Sequence, residues 1–166
     1  VDRSVADYAA AIEGKTAALY STACRIGGIV ADLPRDEIDA LTGFGLHYGM
    51  AFQVVDDILD VVATDEELGK PAGHDMAEGI YNLPVLRALD GPGGGELRAL
   101  LGGPLTPESQ ARALGLVREG DGVTQSIIEA RAYVDRAVAD LDRLPATPAR
   151  DALTAATRHL LVGLDR

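Results

Sequence analysis

The sequence predicts an all-α protein, and three observations carry that expectation. Apolar residues recur with the period of a helix over long stretches, most clearly from Leu41 to Val62. No strand-like alternation persists anywhere in the 166 residues. Proline and glycine fall where helices would start or stop, at Pro34, Pro107, Gly120, Gly122 and Pro145. Hydrophobic residues make up 47% of the chain and mean hydropathy is +0.07, enough for a sizeable core.

Taken in order, the first helix runs from about Ser4 to Ala31 and stops near Leu33-Pro34. Pro34 then starts the second, with Asp36 and Glu37 favoured in its positive first turn. This helix ends near Val62 or Ala63. Thr64-Asp65-Glu66-Glu67 is suited to capping a short helical turn, and Gly69 to Gly79 reads as a loop containing Lys70 and Asp75. Asn82 to Leu89 is helical, with Pro84 in its first turn. Gly91-Pro92-Gly93-Gly94-Gly95 reads as a flexible connection, not a phosphate cradle, because no strand precedes it. Thr106-Pro107-Glu108 opens another helix, which Gly120-Asp121-Gly122 breaks. Val123 to Leu144 and Pro148 to Leu164 form the last two. The chain reads as one all-α unit, 1–166, without internal repeats.

Chemistry concentrates in Phe52-Gln53-Val54-Val55-Asp56-Asp57-Ile58-Leu59-Asp60. Helical spacing sets Gln53, Asp56 and Asp60 on one face, with Asp57 roughly 100° around the axis. A DDxxD turn by itself is more often a solvated surface. Here Val54, Val55, Ile58, Leu59, Val61 and Val62 leave little polar surface besides the acidic stripe, so the helix reads as buried. Crowded carboxylates repel one another and are costly to bury, and a hard divalent cation relieves both costs. Asp56, Asp57 and Asp60 are therefore candidate ligands for Mg²⁺, with Asp56 expected to be the strongest.

The basic residues add a second signal. Of 15, only Lys15 and Lys70 are lysine; the other thirteen are arginine. A lysine among so many arginines suggests places needing a compact point charge, such as a phosphate site, although two residues can also be an accident of composition. Gly14-Lys15-Thr16 is not the end of a P-loop. Ala9 stands where that motif needs glycine, and the preceding segment is helical.

Together these elements resemble the trans-polyprenyl diphosphate synthases. The resemblance rests on Gly14-Lys15-Thr16, then Phe52-Gln53-x-x-Asp56-Asp57-x-x-Asp60, Gly69-Lys70-Pro71, Gly73-x-Asp75 and Glu78-Gly79-x-x-x-Leu83-Pro84, in order and spacing. It covers nearly the whole chain and matches the C-terminal half of that family. It implies an isoprenoid-synthase-type helical bundle, here partial, that condenses an allylic prenyl diphosphate with isopentenyl diphosphate. It also implies Mg²⁺ as cofactor and a homodimer in the complete protein. Lys15, Thr16, Gln53 and Lys70 would contact the allylic diphosphate, and Phe52 would lie against the isoprenoid. Lys15, Lys70 and Asp56 are the candidate catalytic groups. Many members carry lysine after the Glu-Gly pair, where this chain has Ile80. The family's first DDxxD and its isopentenyl diphosphate cradle are absent, so the 166 residues are expected to be half of a longer chain and inactive alone.

The net charge of −11 argues against nucleic acid and against an anionic membrane surface as partners. Three aspartates within residues 41–62 argue against membrane insertion there. The single cysteine, Cys24, excludes an intrachain disulfide, fits a reducing cytoplasm and reads as core. His47, His74 and His159 are isolated and read as structural or solvated. Two alternatives remain: a terpene cyclase with the same carbocation start, against which the Lys15 and Lys70 motifs argue, and a non-catalytic partner subunit that keeps the fold.

Overall fold

The computed structural model describes residues 3–63 and 72–164. Among the described residues there is helix and no strand. The helices are α1 (Val5–Ile12), π1 (Glu13–Ala17), α2 (Ala18–Val30), α3 (Arg35–Val62), α4 (His74–Ala77), α5 (Leu83–Leu89), α6 (Gly94–Leu101), α7 (Pro107–Glu119), α8 (Gly122–Leu141) and α9 (Pro148–His159). No helix among the described residues is long and apolar enough to cross a membrane.

Most boundaries follow the local chemistry of the sequence. Ser4 and Asp7 cap α1 reciprocally: Asp7 N–H donates to Ser4 Oγ, and Ser4 N–H and hydroxyl donate to Asp7 Oδ2. Thr106 and Ser109 form the same kind of box at the start of α7, with Pro107 at the first helical position. Four segments differ from the sequence expectation, among them the stretch expected as a loop from Gly69 to Gly79, whose described part holds α4 (His74–Ala77), and the last helix, which ends at His159 and not at Leu164. The first helix is interrupted by π1, where Ala18 N–H reaches back five residues to Glu13 O. The glycine-rich connection is shorter than expected. Gly93 takes a left-handed conformation at φ 87°, and α6 begins at Gly94 because Leu97 and Leu101 bury one face of it. Residues 64–71 lie outside the described residues, and with them the expected cap at Thr64–Glu67.

The chain divides into two compact units, Val1–Ala9 with Asp56–Ile128 and Ala10–Val55 with Glu129–Arg166. In the first, α5, α6 and α7 pack on one another around Leu83, Val85, Leu97 and Val117, all almost fully buried. Met76 of α4 is buried as well. Arg118 Nε donates to Val61 O at 2.7 Å and Gly73 N–H to Asp60 O at 2.7 Å, so carbonyls at the end of α3 have donors.

In the second unit, α2 lies unusually close to α3. A methyl group on Gly45 would stand 2.5 Å from Tyr20 O, and one on Gly49 would stand 2.6 Å from Ala17 Cα. The two glycines are one helical turn apart, so they form a seat for the start of α2. Phe44, Ala137 and Leu141 make a small core with Cys24, Tyr48 and Leu144 packed against it. Cys24 is half-buried there, and burial pushes its thiol pKa up, as expected of an inert packing cysteine.

Candidate metal and diphosphate residues

The second unit holds Lys15, Thr16, Phe52 and Gln53 of the candidate substrate residues. Lys15 and Thr16 sit on π1, a rare conformation that often marks functional positions. Lys15 is exposed. Thr16 is half-buried, and its hydroxyl donates to Gln53 Oε1 at 2.8 Å. Ala17, fully buried, is the residue that meets Gly49. The close helix approach at Gly49 thus brings π1 to the turn of α3 that carries Gln53. Phe52 is 40% exposed, which is high for a phenylalanine. Its ring centroid is 5.7 Å from Tyr20, and Tyr20 is 5.3 Å from Tyr48, so one face of Phe52 is supported by aromatic packing. Burial, followed by Tyr20, raises the Tyr48 pKa and keeps that phenol neutral.

The first unit holds the three carboxylates, which differ in environment. Asp56 is exposed. It shares that face of α3 with Leu59 and Val62, 37% and 39% exposed, so an acid stands among apolar side chains. Asp57 is turned inward, 5% exposed, and accepts the Tyr8 hydroxyl at 2.5 Å. Asp60 is 3% exposed and accepts a long hydrogen bond, 3.4 Å, from Asp75 N–H. The helical period sets Asp60 only about 40° from Asp56, and that step carries it from the exposed face to the packed one. Among the described residues, no three His, Cys, Asp or Glu side chains converge to cage a metal ion.

Lys70, with Gly69 and Pro71, lies outside the described residues. Gly73 is left-handed at φ 70° and leads into α4, where His74 and Glu78 approach at 3.4 Å. Ile80 is 48% exposed. His47 Nδ1 is 2.8 Å from Asp140 Oδ2, in keeping with a structural histidine.

Sequence reasoning passed over Tyr8, Tyr20 and the Gly45/Gly49 seat. Tyr8 and Asp57 are 49 residues apart, and nothing local in either segment announces the pairing. The two glycines, four apart within an apolar helix, were the one available signal of close packing.

A polyprenyl synthetase family model matches residues 1–114. Heptaprenyl diphosphate synthase component 2 of Bacillus subtilis is 32% identical over 160 residues, 96% of this chain and 46% of the relative. Nonaprenyl diphosphate synthase of Mycobacterium tuberculosis is 36% identical over 155 residues, 92% of this chain and 46% of that protein. Among solved structures, geranylgeranyl pyrophosphate synthase of Corynebacterium glutamicum, complexed with calcium and isoprenyl diphosphate, superposes with a TM-score of 0.87 at 38% identity. It covers 95% of this chain and 50% of that one. The chain therefore spans about half the length of the curated relatives it matches.

Proposed function

Because this chain belongs to the polyprenyl synthetase family, we propose that it supplies half of a prenyltransferase that joins an allylic prenyl diphosphate to isopentenyl diphosphate. In this reaction the allylic C–O bond breaks and its electron pair leaves on pyrophosphate. The resulting carbocation bonds to the terminal alkene carbon of isopentenyl diphosphate. Loss of a proton to the released pyrophosphate then restores an alkene. The protein itself then has little proton transfer to do.

The observation that carries this reading is Asp56, an outward carboxylate in an apolar setting. Mg²⁺ is commonly held by one or two carboxylates together with water and substrate phosphates, in place of an all-protein cage. One exposed acid with two buried neighbours fits that habit, and the oxygen donor fits a hard cation. Asp56 would hold the ion, and Asp57 and Asp60 would add negative charge behind it. When bound, Mg²⁺ would supply positive charge to a leaving group that gains negative charge as the bond breaks. The calcium reported with the Corynebacterium glutamicum relative supports a divalent ion. Lys15 and Lys70 would offer ammonium groups to the diphosphate. Thr16, oriented by Gln53, would add a hydroxyl. Phe52, exposed on one face, would meet the isoprenoid tail.

A second reading draws on the relatives named component 2: this chain works beside a different chain rather than as a homodimer. One experiment bears on both readings. Radiolabelled isopentenyl diphosphate is supplied with an allylic diphosphate and Mg²⁺, to this chain alone and to this chain joined to a polypeptide equivalent to the other half of its relatives. Product from the joined form alone is expected. Product from the purified 166-residue chain by itself would overturn the half-enzyme reading. No product from any joined form would overturn the prenyltransferase.

A further inference from the structure

We propose that Tyr8 is a positioning residue for the Asp-rich motif: by holding Asp57 in the packed face of α3, it fixes the angle at which Asp56 is presented to a divalent cation. The inference rests on the reading of Asp56 as the metal ligand.

Adjacent residues on a helix point about 100° apart. Anchoring one of them therefore sets the direction of the other. Asp57 is anchored by an unusually short hydrogen bond, 2.5 Å from the Tyr8 hydroxyl, with both residues buried at 5% and 3% exposure. Hydrogen bonds to a carboxylate are stronger and more directional than those between neutral groups.

Tyr8 is itself held from several sides. The Ser4/Asp7 box fixes the start of α1 one turn earlier. The Arg3 guanidinium lies 5.3 Å over the Tyr8 ring, and Arg3 Nη1 donates to Tyr81 O at 3.3 Å. The anchor on Asp57 thus belongs to a supported side chain that has little freedom to follow α3 if the helix rotates. Backbone anchors act in the same region. Asn82 Nδ2 donates to Asp57 O at 3.4 Å, Gly73 N–H to Asp60 O and Arg118 Nε to Val61 O. Those contacts hold the helix end in place, and the Tyr8 bond acts on a side chain next in sequence to Asp56. A group that orients a metal ligand without touching the metal is a recurrent device.

The test measures Mn²⁺ binding to the purified chain by the loss of the free-ion electron paramagnetic resonance signal, so it needs no turnover. Tyr8→Phe keeps the ring and deletes the hydroxyl. It is expected to weaken Mn²⁺ binding about tenfold, the lower end of what losing an outer partner costs a metal site. Ser126→Ala deletes another buried hydrogen bond of the same unit, Ser126 Oγ to Gly122 O at 2.8 Å, and should leave Mn²⁺ affinity unchanged. Asp57→Asn keeps an acceptor for Tyr8 and should retain most of the affinity, whereas Asp56→Asn should abolish it. The proposal is overturned if Tyr8→Phe binds Mn²⁺ as the wild type does, or if Ser126→Ala weakens binding equally. It also falls if Asp57→Asn loses binding as fully as Asp56→Asn, since Asp57 would then be a ligand. If the Tyr8→Phe chain does not fold, the Asp57→Asn result decides alone. A wild-type chain that binds no Mn²⁺, or binds it equally well as Asp56→Asn, removes the metal reading and the role of Tyr8 with it.

Discussion

Gly45→Ala should destabilise the protein, although the same change inside an ordinary helix does the opposite. In an open helical position, alanine is favoured over glycine by about 1 kcal/mol. At Gly45 the new methyl group would stand 2.5 Å from Tyr20 O and 2.8 Å from Ser21 Cα, both backbone atoms that no rotamer change can move. Carbon contacts are comfortable at about 3.5 Å, so α2 would have to back away by roughly 1 Å. Overpacking of that kind costs about 1–3 kcal/mol. The net effect is a loss of up to about 2 kcal/mol, or up to about 8 °C in Tm for a chain of this size. Gly115 is the matched control. It lies inside α7, with nothing within 4 Å of its added methyl group. Gly115→Ala should raise Tm by up to about 4 °C. Differential scanning calorimetry on the two variants compares the signs directly. A Tm for Gly45→Ala that rises in parallel with Gly115→Ala would refute the close approach of α2 to α3 at Gly45.

Two further outcomes follow from the same geometry. Asp56→Asn should leave Tm without added cation unchanged or slightly higher, because an exposed acid beside Asp57 and Asp60 is relieved of like-charge repulsion; a large fall in a thermal melt would make Asp56 a structural residue. Asp7 has its pKa lowered, first by the Ser4 hydroxyl and then by the Ser4 N–H. A depressed folded pKa gives stability that is present above the unfolded value, near 3.9, and is lost as pH falls through the folded one. Asp7→Asn should therefore cost stability at neutral pH and converge with the wild type at acid pH, as read from urea midpoints across that range. A constant difference would show that charge has no part in the cap.

Legibility in the sequence tracked how local each signal was. Pro34, Pro107, Pro148 and the Gly120–Gly122 break mark helix ends because they act within one turn of themselves, and the observed helices begin or end within a few residues of them. The Asp-rich run and its placement on one long helix were readable for the same reason. The three carboxylates were harder to tell apart. Periodicity gives the angle between Asp56 and Asp60 but not where the packed face begins, and that edge falls between them. The π1 segment was invisible because Glu13-Gly14-Lys15-Thr16-Ala17 has ordinary helical composition; what accompanies it in the structure is the seat at Gly49, more than thirty residues away in the chain. The Tyr8–Asp57 bond was invisible for a similar reason. A tyrosine on an apolar helix face reads as core until its partner is known.

The central claim is that Asp56 holds a divalent cation through which this chain binds a diphosphate. It is tested most directly by calorimetric titration of this chain with an unreactive thio-analogue of an allylic prenyl diphosphate, with and without Mg²⁺. The account predicts binding that requires Mg²⁺, weakens in Lys15→Ala and disappears in Asp56→Asn. Binding of equal strength in the presence of a chelator and in both variants would contradict it.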